Sequence, residues 1–455
     1  MEFFTNLISE ISSIVWGPPL LILIVGTGIF LTLRISFLQF SHLGYALKLS
    51  FSKHQDQSSQ GDISHFAALM TALAATIGTG NIVGVATAVV LGGPGAVFWM
   101  WVTALVGMAT KYAEGVLAVK YRTVDERGEM AGGPMYYIEK GLGWKWLAVL
   151  FALFASVAAF GIGNMVQSNA VAGNISASFG LNPWITGFIL AALTGLVILG
   201  GIKSIGRVTS YLVPFMALFY VLGGLVIILL NLTEVPAAFG LIFSDAFTGT
   251  AMAGGAIGTV IRWGVARGVF SNEAGLGSAP IAAAAAKTDV PGRQALVSMT
   301  GTFLDTVIVA SITGIVITMS GLYDAPDVNK ASLTADAFNM FLPGIGGWIV
   351  TIGLILFAYS TILGWSYYGE KSFEYLFGAK SVTLYRTLFS ISVLIGAGLS
   401  LGIVWDIADV MNGLMAVPNL IGLIALSGVV VAETKIIKDK IKQEKEQQKS
   451  TNISA

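Results

Sequence analysis

The sequence predicts an all-α polytopic membrane protein with eleven transmembrane helices, and three observations predict it. The chain of 455 residues is 55% apolar and only 11% charged, whereas soluble domains carry about 25% charged residues. Its apolar residues form runs of about 20 residues, the length that spans a bilayer as a helix. Every second connection between these runs is basic, as expected when alternate connections face the cytoplasm.

Eleven runs satisfy the length criterion. They cover residues 14–34, 65–90, 96–120, 146–174, 183–203, 210–230, 255–285, 293–320, 345–368, 383–403 and 411–433. The connection after the third run carries Arg122 and Arg127, whereas the one before it, 92–95, has no charge. Continued to the end, this alternation predicts a cell-membrane protein with its N-terminus outside and its C-terminus in the cytoplasm.

The connections define four parts of the chain. Residues 1–60 hold one extra N-terminal helix and an interfacial segment, for which Phe37 to Phe51 show the spacing of an amphipathic helix. Residues 61–235 and 236–434 each hold five predicted spans, and residues 435–455 form a cytoplasmic tail. Met1 to Ser13 lack a basic region, so we expect no cleaved signal peptide.

Composition excludes several function classes. Cysteine is absent, which removes disulfides, thiolate metal sites and cysteine nucleophiles. With 25 basic and 25 acidic residues, no net charge attracts nucleic acid. An intramembrane enzyme would need a nucleophile and a base, and no motif supplies them. We therefore expect no enzyme and no organic cofactor, and the remaining alternatives are a transporter and a passive channel.

The second predicted span is interrupted by the small, polar stretch Ala74 to Gly84, which contains Gly78, Gly80 and Asn81. Each glycine weakens a helix by about 1 kcal/mol, and Thr and Asn side chains compete with the helical hydrogen bonds. Irregular backbone at membrane depth is tolerated where it lines a cavity or is covered by protein. The stretch predicts either a ligand site in a broken helix or a small-residue packing face.

The seventh span has a similar interruption from Arg267 to Ser278. Spans two to six and seven to eleven thus form two sets of five, each beginning with an interrupted helix. Because five is odd, the two sets enter the membrane from opposite sides. Paired interrupted helices in inverted repeats indicate the central site of a secondary transporter, although two unrelated glycine-rich helices would give the same pattern. Two such breaks argue against a passive channel.

Free helix ends at such breaks present amide donors to a carboxylate and carbonyl oxygens to a cation. The first break predicts donors at Gly80 and Asn81 and carbonyl oxygens around Ala75 and Gly78. The second break adds Ser271, Asn272, carbonyl oxygens near Phe270, and the two glycines Gly275 and Gly277. Other polar groups lie at a similar depth. Asn164, Gln167 and Ser168 are predicted on one face of the fourth span, and Ser360, Thr361 and Trp365 lie in the ninth.

Several charged residues inside the spans allow two interpretations. Asp305 is either a coupling-site residue or, as we favour, the partner of Arg262 or Arg267. Glu273 either meets a substrate ammonium or caps a half-helix, and the two arginines are candidates for an outer gate. Lys111 and Glu114 are predicted to form an i,i+3 pair that extends toward the membrane surface.

Four motifs resemble the alanine or glycine:cation symporter family. They are GGPGAVFWMW at 92–101, GTGNIVGVA at 78–86, AGGPMYYIEKGLG at 131–143 and GVFSNEAGLGSAP at 268–280. The resemblance implies a LeuT-type fold of two inverted five-helix repeats. It also implies import of alanine, and possibly glycine, with Na⁺ as the driving ion by alternating access. Proton coupling to a small neutral amino acid is the alternative, and we expect the monomer in the lipid bilayer to be the functional unit.

The resemblance, together with the polar groups above, gives two sets of expected site residues. The substrate set is Thr79, Gly80, Asn81, Asn164, Gln167, Ser271, Asn272, Gly275, Gly277 and Trp365. The sodium set is Ala75, Gly78, Ser360 and Thr361.

Overall fold

The computed structural model of the chain describes residues 2–52, 59–247, 258–399 and 402–454. Residues 255–257, at the start of the seventh predicted span, and residues 400–401, within the tenth, lie outside the described residues. Within them the fold is helical apart from one short hairpin. Among these described residues, eight helices are long and apolar enough to cross a membrane, or nine if a bent pair of helices is counted as one span. The chain is a multi-pass membrane protein.

The first half contains helices α1 to α13. They are α1 Glu2–Val15, α2 Pro18–Arg34, α3 Leu38–Ser41, α4 Leu43–Ser50, α5 His65–Thr76, α6 Val85–Gly92, α7 Gly95–Lys120, α8 Pro134–Leu142, α9 Lys145–Phe160, α10 Val166–Phe179, α11 Pro183–Ile198, α12 Gly201–Leu230 and α13 Val235–Ala246. The hairpin pairs β1, Thr123–Val124, with β2, Met130–Ala131, in antiparallel fashion. Single π-helical turns at Gly80–Gly84 and Gly161–Met165 precede α6 and α10.

The second half contains α14 to α22. They are α14 Thr259–Asn272, α15 Ala279–Ala283, α16 Pro291–Thr302, α17 Ser311–Ser320, α18 Leu333–Phe341, α19 Gly346–Phe377, α20 Val382–Gly398, α21 Gly402–Ala425 and α22 Ser427–Ser454. A π-helical stretch, Phe303–Ala310, joins α16 to α17. Short 3₁₀ turns lie at Leu322–Asp324 and Ala379–Ser381.

In the part of the chain that the structure describes, eight of the eleven predicted runs contain a helix long enough to count as a span; the second run is the bent pair α5 and α6, and two further runs do not qualify. Helix α11 has 16 residues, and the seventh run is divided into α14 and α15. Helices α1, α13 and α18 were not predicted, because a criterion based on 20-residue runs does not detect helices of 9 to 14 residues. The expected interfacial helix over 37–51 is two short helices, α3 and α4.

Both predicted helix breaks are confirmed. Helix α5 ends at Thr76, Ile77 leaves the helical conformation with ψ at 90°, and the chain bends by 52° before continuing through the π-helical turn into α6. Helix α14 ends at Asn272, and Glu273, Gly275 and Gly277 have φ of 56°, 93° and 87°. Glycine adopts this left-handed region without steric cost, so the two glycines allow the chain to turn before α15.

The two broken helices are joined to each other at their ends, on the side of the molecule that carries the β1–β2 hairpin. Ile63, just before α5, forms a parallel bridge with Ala286, just after α15. The Arg122 guanidinium donates to four main-chain carbonyls there, those of Gln60, Ala284, Ala286 and Thr288, at 2.6–2.9 Å. The half-helices α5 and α15 are therefore held as one unit.

A second group of charges attaches the hairpin to α19. The Lys371 side chain is fully buried, and its Nζ donates to Asp125 at 2.6 Å and to Glu374 at 3.1 Å. Arg127 contacts Glu374 at 3.0 Å and Glu370 at 3.3 Å. Opposite charges thus compensate one another in a region from which water is largely excluded.

We expect Lys371→Met to destabilise the protein by about 3–5 kcal/mol, because it leaves buried carboxylates without their cation. The thermal unfolding midpoint in detergent measures this. Lys145→Met is the matched control, since the Lys145 side chain is 74% exposed. Equal midpoints for the two variants would contradict the role given to Lys371.

Candidate functional site between the two broken helices

A small buried cavity lies where the two breaks face each other. It is lined by Ala75, Thr76, Gly78, Thr79, Gly80, Ile162, Gln167, Phe270, Glu273, Thr361, Trp365 and Asn412. Seven of these belong to the two expected site sets, which shows that the structure brings residues from the first break, the fourth span and the ninth span together.

The first break presents its main chain to the cavity through Gly78, Thr79 and Gly80. Gly80 begins the π-helical turn that leads into α6, where the first N–H groups of a helix have no partner within it. Asn81 holds the turn in shape, because its Oδ1 accepts from the Gly78 N–H at 3.0 Å. Asn81 is therefore a residue that shapes the break and does not line the cavity.

Asp305 connects the two breaks. Its carboxylate accepts from Asn81 Nδ2 at 2.8 Å and from Ser271 Oγ at 2.9 Å. Thr306 Oγ1 also donates to it, at 2.7 Å, and Asn272 Nδ2 donates to Thr306 at 3.1 Å. The favoured pairing of Asp305 with Arg262 or Arg267 is wrong, because no ion pair joins these residues in the part of the chain that the structure describes.

Gln167 and Trp365 close opposite parts of the cavity. Gln167 Nε2 donates to Thr79 Oγ1 at 3.2 Å and to the Ile162 carbonyl at 3.0 Å, whereas its buried Oε1 has no hydrogen-bond partner. Trp365 is 2% exposed and packs edge-on against Tyr368. A Cβ at Gly163 would overlap Trp365, so this glycine allows the indole its position.

Helix α19 lies against the first break, where the residues of the expected sodium set come together. A Cβ added at Gly78 would lie 2.5 Å from Thr361 Oγ1, and one at Gly364 would lie 2.7 Å from the Ala75 nitrogen. Ser360 Oγ donates to the Ala74 carbonyl at 3.2 Å, and Thr361 Oγ1 donates to the Phe357 carbonyl at 3.0 Å. Hydroxyl and carbonyl oxygens, the ligands that transporters offer to Na⁺ at unwound helices, are thus concentrated here.

Several expected site residues do not line the cavity. Gly275 N and O contact Glu114 and Asn419, and Gly277 packs near Pro134 and Phe151. Asn164 Nδ2 donates to the Phe389 carbonyl at 2.7 Å. Of the three residues predicted on one face, Asn164 and Ser168 both lie against α20, at Phe389 and Gly396, whereas Gln167 reaches Thr79.

Two cavity residues were not predicted: Ile162 and Asn412. Asn412 is 1% exposed and its Oδ1 has no hydrogen-bond partner. A polar residue in the eleventh span was the available signal for Asn412. Nothing in the sequence distinguishes Ile162 from other core residues. Phe270, near which the second break was predicted to offer carbonyl oxygens, lines the cavity. Glu273, which sequence reasoning left open, lines the cavity, and Ser278 Oγ donates to its carboxylate at 2.6 Å.

The expected pair of Lys111 and Glu114 is also wrong. Both side chains are buried, at 3% and 1% exposure, so neither extends to the membrane surface. The structure gives no direct ion pair between them within the residues it describes.

The candidate outer gate remains a prediction, but Arg267 has defined surroundings. Its guanidinium lies 5.5 Å from the ring centroid of Phe270, which lines the cavity, and 5.4 Å from that of Trp263. Asp409 is its electrostatic partner, and Ser12 of α1 donates to that carboxylate at 2.9 Å.

Two broken membrane helices that enclose a small polar cavity define the class of secondary transporters. The chain belongs to the sodium:alanine symporter family, whose model matches residues 1–452. It is 65% identical to the sodium/alanine symporter AgcS of Methanococcus maripaludis over 97% of this chain and 99% of that protein. It is 38% identical to the amino-acid carrier protein AlsT of Bacillus subtilis over 98% of this chain and 94% of that protein.

The fold has a counterpart among solved structures. The crystal structure of MhsT in complex with L-phenylalanine matches with a TM-score of 0.58 at 15% sequence identity, and the match covers 83% of this chain and 99% of that one. At this identity the similarity concerns the fold alone.

Proposed function

We propose that the protein imports alanine, and possibly glycine, together with Na⁺ by alternating access. The observation that carries the proposal is the cavity between the two breaks, which combines free helix-end groups with unpaired buried acceptors. The Methanococcus relative, named a sodium/alanine symporter, supports the same substrate and ion.

In the proposed complex the alanine carboxylate faces the main-chain N–H groups near Thr79 and Gly80, where the helix end is positive. The ammonium group faces the acceptors that have no partner in the protein, Gln167 Oε1 and Asn412 Oδ1, with the Glu273 carboxylate nearby in the lining. An unpaired buried acceptor costs about 1–3 kcal/mol, so a ligand that donates to both would bind favourably.

The remaining expected substrate residues act indirectly in this proposal. Asn81 and Ser271 hold the breaks together through Asp305, and Asn272 does so through Thr306. Gly275 and Gly277 shape the second break, and Asn164 fixes the fourth span. The methyl group would point to the apolar wall made of Ile162, Phe270 and Trp365, which leaves room for a small side chain only.

The proposed sodium site uses carbonyl oxygens of Ala75 and Gly78 and the hydroxyls of Ser360 and Thr361. These residues join the first break to α19, so binding of Na⁺ would hold the inner half-helix α5 against α19. The ion would thereby couple its own binding to the shape of the neighbouring cavity.

For the whole chain we propose eleven spans in two inverted sets of five, at 61–235 and 236–434, after one extra helix. The N-terminus would be outside and the C-terminus in the cytoplasm, and the monomer would be the functional unit in the cell membrane. Within this arrangement α11 is a short span and α14 with α15 form one interrupted span.

The test is uptake of radiolabelled alanine into proteoliposomes with an imposed Na⁺ gradient, with glycine, serine and leucine as competitors. We expect uphill accumulation that requires Na⁺ and is inhibited by glycine but not by leucine. Uptake that ignores Na⁺ and follows a pH gradient would assign the protein to proton symport. Uptake without saturation or accumulation would indicate a channel.

Thr361→Ala is expected to raise the Na⁺ concentration needed for half-maximal uptake about 10-fold, because it removes one neutral oxygen ligand of the ion. A 10-fold change in affinity corresponds to about 1.4 kcal/mol of binding free energy. The measurement is the Na⁺ dependence of alanine uptake. Thr351→Ala, ten residues earlier on the same helix and outside the cavity lining, is the control. An unchanged Na⁺ dependence in Thr361→Ala would remove this residue from the ion site.

A further inference from the structure

Helix α1, which precedes both proposed five-helix sets, packs against α21, the helix that carries Asn412. Asp409 of α21 is the centre of this contact. Ser12 Oγ donates to the Asp409 carboxylate at 2.9 Å, and Trp16 Nε1, just after the end of α1, donates to the Asp409 main-chain carbonyl at 3.0 Å. The N-terminal segment therefore holds one residue of α21 through both its side chain and its main chain.

Gly413 makes this contact close. It follows Asp409 by four residues, one turn further along the same face of α21. A Cβ at Gly413 would overlap Val15 and would lie 3.1 Å from Trp16 Nε1. A helical carbonyl oxygen has a second lone pair, and the indole of Trp16 reaches that of Asp409 because Gly413 has no side chain to cover it. The end of α1 thus lies directly on the backbone of α21.

Asn412 lies next to this contact and lines the cavity between the two breaks. It follows Asp409 by three residues and precedes Gly413, so the three residues share one turn of α21. Its side chain is buried, and its Oδ1 has no hydrogen-bond partner among the described residues. Since no donor of the described protein fixes this acceptor, its position in the cavity depends on where the backbone of α21 is held.

We propose that α1 and Trp16 form a positioning element for substrate recognition. By holding Asp409 and Gly413, they keep Asn412 Oδ1 where the ammonium group of alanine can donate to it. The proposal rests on the proposed function, in which this acceptor meets the ammonium group. Ser12 and Trp16 do not line the cavity, so they act on the substrate through Asn412 and affect its binding more than the later steps of transport.

The test is the alanine concentration at half-maximal uptake (KM) and the maximal rate, both measured in proteoliposomes under a fixed Na⁺ gradient. Trp16→Phe keeps an aromatic ring but removes the N–H donor, so we expect it to raise the KM about 5-fold, the effect of one hydrogen bond, with the maximal rate within about 2-fold of the wild type. Ser12→Ala should raise the KM as well.

Two control variants match these substitutions. Ser13→Ala changes the neighbouring serine, whose exposed Oγ donates only within α1, to the Glu10 carbonyl at 2.7 Å. Trp146→Phe changes a tryptophan that is 64% exposed. Both controls should keep the wild-type KM.

The Asn412→Ala background separates positioning from a purely structural role. This variant should itself raise the KM, and Trp16→Phe should then raise it no further, because effects that pass through one contact are not additive. A structural role of Trp16 would instead multiply the two effects. Where the variants transport too slowly, equilibrium binding of radiolabelled alanine gives the same comparison. Gly413→Ala reaches the contact independently, since its Cβ would overlap Val15, and should also raise the KM.

The thermal unfolding midpoint shows whether each variant is folded. If Trp16→Phe does not fold, Ser12→Ala and Gly413→Ala are compared with Asn412→Ala in its place. An unchanged KM in the folded α1 variants, an unchanged KM in Asn412→Ala, or multiplied effects in the double variant overturns the inference. Absence of Na⁺-driven alanine uptake in the wild type would instead overturn the proposed function.

Discussion

Asp305→Asn is expected to lower Na⁺-driven alanine uptake roughly 100-fold or more. The carboxylate accepts from Asn81 at the first break and from Ser271 at the second, and a hydrogen bond to a charged group is worth about 1.5–3 kcal/mol. Asparagine presents an amide NH₂ to at least one of these donors, so the two breaks lose their common partner. Initial uptake rates in proteoliposomes measure the effect.

The control for this variant is Asp336→Asn, since Asp336 is exposed and hydrogen-bonds only locally, with Ser332 at 2.8 Å. Its uptake should match that of the wild type. The contradicting result would be an Asp305→Asn protein that has a normal thermal midpoint and transports alanine at the wild-type rate. It would show that the junction between the breaks is not required.

Trp365→Ala is expected to change substrate preference. Trp365 forms a wall of the cavity, and its removal opens space for branched side chains beside the bound backbone groups. Each methylene that fits a pocket changes discrimination by about 10–200-fold, so leucine should become an effective competitor while alanine uptake falls at least about 10-fold. Competition of leucine against radiolabelled alanine is the measurement.

Trp348→Ala tests whether the effect depends on position. Trp348 lies on the same helix but is 45% exposed and packs against Phe179 on the outside of the fold. This variant should continue to exclude leucine. If both variants exclude leucine equally while Trp365→Ala remains folded, the wall that limits substrate size must be formed by other residues.

The fold was largely predictable because the dominant signals are local. Runs of apolar residues identify the long helices, and glycine with polar neighbours identifies both breaks, since these residues weaken a helix wherever they occur. Helices α13 and α18 were missed because they are apolar or amphipathic segments too short to span a membrane. The count of eleven spans depends on α11 and on the pair α14 and α15, which length alone does not classify.

The candidate site was predictable where the chain itself breaks and less so where other helices contribute. Gly78, Thr79 and Gly80 line the cavity because the break is there. Which side of a continuous helix faces that break depends on tertiary packing. In the fourth span Gln167 contacts Thr79, whereas Asn164 contacts Phe389, and the sequence alone does not indicate which neighbour each side chain meets.

The charged residues show the same limit. Their burial could be inferred from their place inside apolar runs, but their partners could not. Asp305 was expected to meet an arginine and instead joins Asn81 to Ser271, because the two breaks bring neutral donors together at that depth. Lys111 and Glu114 were expected at the surface, yet α7 is enclosed by the broken helices and α16, so both remain inside.

The most direct test of the central claim is an experimental structure of the protein with alanine and Na⁺ bound. The account predicts alanine between the two interrupted helices, within hydrogen-bonding distance of the main chain at Thr79 or Gly80 and of the Gln167 side chain. Alanine bound elsewhere, or either α5 with α6 or α14 with α15 forming one uninterrupted helix in that complex, would contradict it.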